Sequence, residues 1–155
     1  MITVPDDPQA LAEATAQSMY ERDDATRALG MKILSVAPGS AQIAMTVRQD
    51  MLNGHKSCHG GFIFALADST FAFACNSRNV ATVASGCTID YLAPAFLNDT
   101  LIATASEYSL AGRMGVYDVQ VHNQDGRKVA IFRGRSYRIS GTVIGGEGVQ
   151  KQAVT

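Results

Sequence analysis

Residues 53–77 read NGHKSCHGGFIFALADSTFAFACNS, a polar loop and two glycines followed by a long apolar run that contains one carboxylate, Asp68. The run over residues 61–77 is too long for a typical strand, and it is bounded by Gly-Gly and by Asn-Ser-Arg-Asn, so it predicts a helix. Because nearly every face of this helix is apolar, we expect it to be buried. A charge inside it must be paired, neutralised or used, since burying an ionised carboxylate costs several kcal/mol.

Upstream of this run, the chain predicts one helix and a β-hairpin. Residues 8–22 are the helix candidate, and their loose apolar spacing indicates a helix that docks on the surface. Residues 31–37 and 41–48 are strand candidates, joined at Pro38-Gly39-Ser40, which has the composition of a turn. A loop rich in glycine, asparagine and histidine follows over residues 49–58.

Downstream of the apolar run, the hydrophobic pattern changes to a period of two residues. Such a pattern, rich in valine, isoleucine, threonine and tyrosine, predicts four strands, at residues 82–92, 101–109, 114–122 and 129–139. Ala111-Gly112 and the Asn-Gln-Asp-Gly segment at 123–126 have the composition of hairpin turns. Repeats of sequence are absent.

The order of predicted elements is therefore a helix, two strands, a buried helix and four strands. A mainly antiparallel sheet wrapped around the central apolar helix hides every face of that helix, which is the α+β layout called the hot-dog fold. We predict an N-terminal helical segment at residues 1–28, the main domain at 29–140 and a mobile tail at 141–155, where glycines and polar residues lack a period.

Composition limits the classes of function. The chain has 155 residues, of which 46% are hydrophobic and 17% are charged, so it suits one globular domain with a sizeable core. A net charge of −1 argues against binding to nucleic acid or anionic membranes by bulk electrostatics. The first residues resemble no secretion signal, and no stretch approaches a membrane span. Three cysteines without framework spacing (Cys58, Cys75 and Cys87) favour a reducing compartment, so we expect a cytoplasmic protein.

The chain resembles a known family in several segments between about Leu29 and Gly141. The phenylacetate-pathway acyl-CoA thioesterases (PaaI type) are similar to this sequence at 53–68 (NGHKSCHGGFIFALAD), 71–77 (FAFACNS), 87–94 (CTIDYLAP), 115–119 (GVYDV) and 132–134 (FRG). His-Gly-Gly with an acidic residue seven positions after the second glycine is a fairly specific signature of hot-dog thioesterases. The resemblance implies hydrolysis of an acyl-CoA, with phenylacetyl-CoA and its ring-hydroxylated derivatives as substrates, and without a metal or a bound cofactor.

Gly60 and Gly61 lie where the buried helix is predicted to begin. Backbone N–H groups in the first turn of a helix lack intrahelical partners, and the helix dipole favours negative charge there. These groups suit an oxyanion hole for a thioester carbonyl, and glycine allows the acyl group to approach the backbone closely. The alternative is that the two glycines only allow a tight turn into the helix.

Asp68 is the candidate base or nucleophile. Its helical neighbours at positions i±3 and i±4 are all apolar, so burial should raise its pKa and strengthen it as a base. These neighbours are Phe64, Ala65, Phe71 and Ala72. The alternative is a structural carboxylate that caps a loop or pairs with an arginine.

The spacing of Gly61 and Asp68 predicts an assembly. Seven helical residues separate them by about 10 Å along the axis, too far for the carboxylate to reach a carbonyl held at Gly61 of the same chain. Two such helices, antiparallel across a two-fold axis, would bring Asp68 of one subunit to Gly60 and Gly61 of the other. The family resemblance implies the same shared site. We expect a homodimer as the smallest active unit and a homotetramer, a dimer of dimers, as the assembly, although the sequence does not decide between the two.

The resemblance also implies secondary site residues. Asn53 would position the attacking water or carboxylate, and His59 would brace the oxyanion turn or touch the thioester, although a histidine before a helix is often only a cap. Ser85 and Thr88 follow in the next strand and could offer a hydroxyl group.

Other chemistries are less consistent with the residue spacing. A Cys58 nucleophile paired with His59 lacks a third orienting group, and adjacent side chains usually point apart. A zinc site at His55, Cys58 and His59 lacks a second ligand cluster. Two other functions stay open: a non-catalytic acyl-CoA sensor, and an acyl-CoA hydratase or dehydratase, for which His122 is the remaining acid–base candidate.

CoA needs cations near its phosphates and an apolar slot for its pantetheine and acyl parts. Arginines match phosphate geometry well. The candidates for phosphate contacts are Arg113, Arg133, Arg135 and Lys56. Leu52, Phe64 and Phe71 could line an acyl pocket or simply belong to the core.

Overall fold

The computed structural model describes residues 3–146. These residues form three α-helices: α1 (Pro8–Arg22), α2 (Asp24–Ala28) and α3 (Gly60–Cys75). They also form six β-strands: β1 (Lys32–Ala37), β2 (Ser40–Thr46), β3 (Thr82–Tyr91), β4 (Thr100–Ala111), β5 (Met114–His122) and β6 (Lys128–Arg138). The predicted α1, α3 and strands are therefore all present, with ends that differ by no more than a few residues.

The six strands form one antiparallel sheet in the order β1-β2-β4-β5-β6-β3. Its concave face packs on α3, which contacts all six strands. This confirms the predicted α+β architecture of an antiparallel sheet around a central helix. β3 lies at one edge of the sheet, so the outer edge of this ten-residue strand has no partner within the described chain.

The core forms between α3 and the inward side chains of the sheet. Phe71 of α3 is buried and packs edge-on against Tyr117 of β5, with ring centres 5.6 Å apart, and against Phe132 of β6 at 5.9 Å. A Cβ atom at Gly134 would lie 2.7 Å from the Phe71 ring, so glycine is required there for β6 to approach the helix. This contact fixes the rotation of α3 against the sheet.

Two short elements were not predicted individually, although α2 lies within the predicted N-terminal helical segment at 1–28. α2 has only five residues and depends on Asp23, whose side chain accepts a hydrogen bond from the Thr26 N–H group. Residues Gln49–Met51 form a 3₁₀ turn inside the predicted loop. Elements this short show no hydrophobic period, so a pattern search does not find them.

The first residues of the predicted tail, 141–146, are hydrogen-bonded to the loop that follows α3. Asn79 accepts hydrogen bonds from the N–H groups of Val143 and Ile144 and donates one to the Ile144 carbonyl oxygen. Residues 147–155 lie outside the described residues, so a mobile tail stays a prediction there. Within residues 3–146, none of the helices has the length and apolar character needed to span a bilayer.

Candidate active site

His59 holds the entrance of α3. It is the N-cap residue, and its Nδ1 atom accepts a hydrogen bond from the Gly61 N–H group at 3.0 Å. Because Nδ1 accepts, the ring is assigned as the neutral tautomer with its proton on Nε2. The Gly60 N–H group has no hydrogen-bond partner within residues 3–146. Of the two predicted oxyanion donors, Gly61 is therefore engaged with His59 and Gly60 is free.

Tyr91 holds the same turn from the other side. Its hydroxyl donates to the Gly60 carbonyl oxygen at 2.9 Å. A Cβ atom at position 60 would lie only 3.0 Å from Cζ of the Tyr91 ring, so glycine permits this close contact. The peptide between Gly60 and Gly61 is thus fixed at its N–H by His59 and at its C=O by Tyr91, an arrangement that we call the peptide clamp. The peptide clamp orients the first turn of α3 and leaves the free donor one peptide earlier.

The role of Tyr91 was not predicted. The only signal in the sequence is its place in the CTIDYLAP segment, which carried the family resemblance without a role for the tyrosine. In the structure, Tyr91 ends β3, is 51% exposed and lines the cavity beside Gly60.

Asp68 is half-buried in the middle of α3 and has no hydrogen bond or ion pair within residues 3–146. Burial raises its pKa, and the negative charge of Asp23 raises it further. The direction confirms the prediction made from its apolar neighbours. The lack of a described partner argues against a carboxylate that caps a loop or pairs with an arginine of its own chain.

One face of α3 is left incompletely covered. Gly61, Ala65, Asp68 and Ala72 recur at intervals of four, three and four residues, so they share this face. Gly61 is exposed and the other three are half-buried, whereas the opposite faces of the helix are buried against the sheet. Asp68 lies two turns beyond Gly61, about 10 Å along the axis. The carboxylate therefore points to a surface that a second molecule could cover.

A cavity of about 370 Å³ opens beside the glycine turn. It lies between the start of α3 and the segment that follows β3, so the Gly60 amide is next to open space. Its lining residues are Cys58, Gly60, Ile63, Tyr91, Leu92, Ala93 and Pro94. The lining is mainly apolar with few polar groups, which is typical of a site for a small organic group.

Asn53 organises its own loop. Its Oδ1 atom accepts hydrogen bonds from the N–H groups of His55 (2.9 Å) and Ser57 (3.2 Å), and its Nδ2 atom is 3.2 Å from the Ser57 hydroxyl. Both polar ends of Asn53 therefore have partners inside the loop that leads to His59. Any contact with a water or a substrate would have to use the remaining hydrogen-bonding capacity of the amide.

The alternative nucleophile and the metal site have little support in the described residues. Burial raises the pKa of the Cys58 thiol to about 11, so the group is protonated at neutral pH and is not a thiolate nucleophile. Within residues 3–146, no three His, Cys, Asp or Glu side chains cluster closely enough to hold a metal ion. Ser85 donates its hydroxyl to the Arg135 carbonyl oxygen at a bulge of β3, away from the glycine turn.

The predicted CoA-contacting arginines lie on the outer face of the sheet or in its turns. Arg133 is held by Asp118 through two hydrogen bonds of 2.6 and 2.9 Å, and its guanidinium lies 5.0 Å from the centre of the Tyr108 ring. Arg135 lies over Gly86 of the neighbouring strand, and Arg113 is exposed in the turn between β4 and β5. The structure therefore does not gather the three arginines at the glycine turn.

A second cavity, of about 420 Å³, opens on the outer face of β5 and β6. Leu92 belongs to the lining of both cavities, so the two openings meet at the end of β3. The lining residues are Leu92, Gln120, Val121, His122, Gly126, Lys128, Ala130 and Ile131. Lys128 adds an exposed cation that the sequence did not mark as a candidate.

Comparison with known proteins gives a consistent set of relatives. The family model of the thioesterase superfamily matches residues 55–130. Acyl-coenzyme A thioesterase PaaI of Escherichia coli K12 is 53% identical over 84% of this chain and 93% of its own length. Human acyl-coenzyme A thioesterase 13 is 29% identical over 82% of this chain and 91% of its own length.

Solved structures agree with the sequence relatives. The E. coli PaaI protein, described as part of the phenylacetic acid degradation operon, superposes with a TM-score of 0.86 at 51% identity over 88% of this chain and 99% of that one. A Streptococcus pneumoniae hypothetical thioesterase solved with coenzyme A gives a TM-score of 0.74 at 25% identity over 80% and 98% of the two chains. The hot-dog fold predicted from the order of elements is thereby confirmed.

Proposed function

Because the chain belongs to the thioesterase superfamily and, within it, to the PaaI-type acyl-CoA thioesterases, we propose that it hydrolyses aryl or medium-size acyl-CoA esters. Phenylacetyl-CoA and its ring-hydroxylated derivatives are the expected substrates, and the products are the free acid and CoA. The chemistry rests on one observation: the half-buried carboxylate of Asp68 and the first amide of the same helix, at Gly60, both have no hydrogen-bond partner within residues 3–146.

Gly60 supplies the electrophilic half of the reaction. Its N–H group lies at the positive end of the dipole of α3, where a carbonyl oxygen that gains negative charge is stabilised. One preorganised donor of this kind is worth roughly 3–4 kcal/mol in the transition state. The peptide clamp of His59 and Tyr91 supports this role, because it restricts the rotation of the neighbouring peptide.

Asp68 supplies the nucleophilic half by one of two routes. As a general base, it takes a proton from water while the water oxygen attacks the thioester carbonyl carbon, and CoA then leaves as the thiol. As a nucleophile, its carboxylate attacks the carbonyl carbon itself, CoA leaves, and water hydrolyses the resulting mixed anhydride. Single-turnover hydrolysis in ¹⁸O-water tests for the anhydride route, because label enters the Asp68 carboxylate only when water attacks the aspartyl carbon of a mixed anhydride.

The site is shared between two protomers in this proposal. The spacing of about 12 Å along α3 prevents Asp68 from reaching a carbonyl held at Gly60 of its own chain. The incompletely covered face of α3 and the unpaired outer edge of β3 are both available to a second copy. Pairing of these surfaces across a two-fold axis would bring Asp68 of each copy to Gly60 of the other.

We extend the proposal to a dimer of dimers and to a cytoplasmic location, the latter because the three cysteines are free.

The two cavities suggest where the two parts of an acyl-CoA substrate would bind. The acyl group and thioester would occupy the cavity at Gly60, whose volume of about 370 Å³ suits an aryl or medium-size group. The CoA arm would pass Leu92 toward the second cavity, where Lys128 faces the solvent without an ion-pair partner within residues 3–146. Arg133 suits this role less, because Asp118 already occupies its guanidinium.

A panel of CoA esters tests the proposed function. Aromatic and straight-chain acyl-CoA substrates are compared by the rate of thiol release, with the wild-type protein and with Asp68→Asn as the matched inactive control. We expect kcat/KM to be highest for phenylacetyl or hydroxyphenylacetyl esters. Preference for long straight chains would overturn the substrate assignment. A native protein that binds CoA esters but releases no thiol from any of them would overturn the enzymatic assignment.

A further inference from the structure

The N-terminal segment reaches the middle of α3 through Asp23. This residue ends α1 and caps α2, where its Oδ1 atom accepts a hydrogen bond from the Thr26 N–H group at 3.0 Å. Its Oδ2 atom accepts a second hydrogen bond, from the Thr26 hydroxyl, at 2.6 Å. Both carboxylate oxygens of Asp23 are therefore fixed in direction, and the side chain cannot swing freely into solvent.

Thr26 connects this carboxylate to the turn of α3 that carries Asp68. The Thr26 side chain is 1% exposed, and its Oγ1 atom lies 2.9 Å from the hydroxyl of Ser69. Because the Thr26 hydroxyl donates to Asp23, the Ser69 hydroxyl is the donor to Thr26. Ser69 is the next residue after Asp68. Two short hydrogen bonds thus connect the Asp23 carboxylate to the residue that follows Asp68 in α3.

The surroundings of Asp68 contain few ionisable groups. Asp23 faces it from the cap of α2, Cys87 from β3 and Cys75 from the next turns of α3. Among residues 3–146, Asp23 is the charged group that contributes to the raised pKa of Asp68. Burial raises the pKa of Cys75 to about 12 and also raises that of Cys87, so both remain neutral thiols at neutral pH. Asp23 is therefore the charge within the described residues that Asp68 experiences.

We propose that Asp23 sets the pH range in which Asp68 works as a base, and that the N-terminal segment is kept in place by the Asp23–Thr26–Ser69 hydrogen bonds to do so. The proposal rests on the proposed function only in taking Asp68 as the reacting carboxylate. A fixed negative charge nearby favours the protonated form of Asp68. Asp68 therefore ionises only at a higher pH, and its ionised form is a stronger base. Asp23 acts through Asp68 and does not touch the substrate, and it precedes residues 55–130, which the family model matches.

Removal of the charge without loss of the cap tests this role. Asparagine and serine cap helices about as well as aspartate, so Asp23→Asn and Asp23→Ser should keep α2 folded. We expect the acid limb of the kcat/KM profile to move to lower pH in both variants. At a pH on that limb, activity relative to the plateau should rise about twofold or more. High salt should move the wild-type limb in the same direction, because it screens the charge of Asp23.

Asp7 provides a matched control. It caps α1 in the same way, with its side chain accepting from the Ala10 N–H group at 2.9 Å, but it is exposed and does not contribute to the charge at Asp68. Asp7→Asn should leave the acid limb unchanged. If Asp7→Asn moves the limb as far as Asp23→Asn does, a general effect of charge explains the data and the role of Asp23 is refuted.

A readout that does not require turnover separates this proposal from the proposed function. The ¹³C carboxyl signal of Asp68, identified by its loss in Asp68→Asn, is titrated by NMR in wild type and in Asp23→Asn. A midpoint that moves to lower pH in Asp23→Asn supports the role of Asp23, even if no thioester is hydrolysed, in which case the proposed function alone fails. Equal midpoints in wild type, Asp23→Asn and Asp23→Ser, with native circular dichroism spectra, overturn the role of Asp23.

Discussion

Glu107 and Asp68 are two partly buried carboxylates beside the same helix, and the fold treats them in opposite ways. Glu107 of β4 accepts a hydrogen bond of 2.5 Å from Arg78, which follows α3, and one of 3.1 Å from the Tyr117 hydroxyl of β5. Asp68 has no partner within residues 3–146. Glu107 therefore joins three elements of the structure, whereas Asp68 is held only by the helix that carries it.

This difference separates a structural carboxylate from one that is available for chemistry. Pairing satisfies Glu107 at the end of α3, where it connects the helix to two strands. Burial without pairing raises the pKa of Asp68, and carboxylates with pKa values perturbed in this way are concentrated at functional sites. The contrast predicts that a substitution at Asp68 mainly lowers activity, whereas a substitution at Glu107 mainly lowers stability.

Asp68→Asn should have the largest effect. It removes the base or nucleophile while keeping the shape of the side chain, so kcat should fall by about 10²–10⁴-fold with little change in KM. Steady-state thiol release measures both constants. Glu107→Gln is the matched control and should keep kcat within about twofold. If Asp68→Asn keeps a tenth or more of the wild-type kcat, Asp68 is not the reacting group.

Glu107→Gln should instead lower stability. It weakens the hydrogen bonds to Arg78 and Tyr117, and because this pair is partly exposed we expect a loss of about 1 kcal/mol in the free energy of unfolding. For a chain of this length that corresponds to a fall of about 2–4 °C in Tm. Thermal unfolding at fixed protein concentration measures the change. The contrast between the two carboxylates is lost if Asp68→Asn is the less stable of the two variants.

Disruption of the peptide clamp should cause a loss of activity smaller than that of Asp68→Asn. Tyr91→Phe removes one hydrogen bond to the Gly60 carbonyl, worth about 0.5–1.5 kcal/mol, so kcat should fall by about 2–10-fold while KM stays near its wild-type value. Tyr108→Phe is the control, because Tyr108 is 71% exposed on the outer face of the sheet. An equal loss in both variants would show that the clamp does not contribute to the reaction.

The pH dependence of stability gives the smallest predicted effect. A raised pKa in the folded state means that ionised Asp68 destabilises the fold, so this cost is absent below the unfolded value of about 3.9 and grows as pH rises through the folded-state pKa. Asp68→Asn should therefore match wild type in acid and become the more stable protein toward neutral pH. Denaturant unfolding at several pH values measures the difference in the free energy of unfolding between Asp68→Asn and wild type. If the advantage of Asp68→Asn became smaller as pH rises, the raised pKa would be contradicted.

The local pattern of the chain was enough to predict the elements that carry the site. The all-apolar run identified α3, the period-two segments identified the strands, and the charge among apolar neighbours identified Asp68 and the direction of its pKa shift. These features depend on neighbours within one or two turns of the chain.

Contacts between distant segments were not predictable in this way. Tyr91 meets Gly60 only because β3 closes the sheet beside the start of α3, and the link from Asp23 to Ser69 depends on where α2 docks. The engagement of Gly61 by His59 is local, but the sequence does not show which imidazole nitrogen accepts. The ion pair of Arg133 was not predicted either, since its partner Asp118 lies on the neighbouring strand and the pairing is visible only in the register of the sheet.

Complementation between two inactive variants tests the shared site most directly. Asp68→Asn lacks the carboxylate, and Gly60→Pro lacks the amide donor at the first helical position. Because the proline Cβ atom would press on the Tyr91 ring, circular dichroism must first show that Gly60→Pro is folded. Each variant alone should be inactive. In a mixed dimer, the Asp68→Asn chain supplies Gly60 and its partner supplies Asp68, so co-refolded equal mixtures should recover about a quarter of wild-type activity. A mixture that forms mixed dimers, shown by native mass spectrometry, yet stays inactive would contradict a site built from two chains.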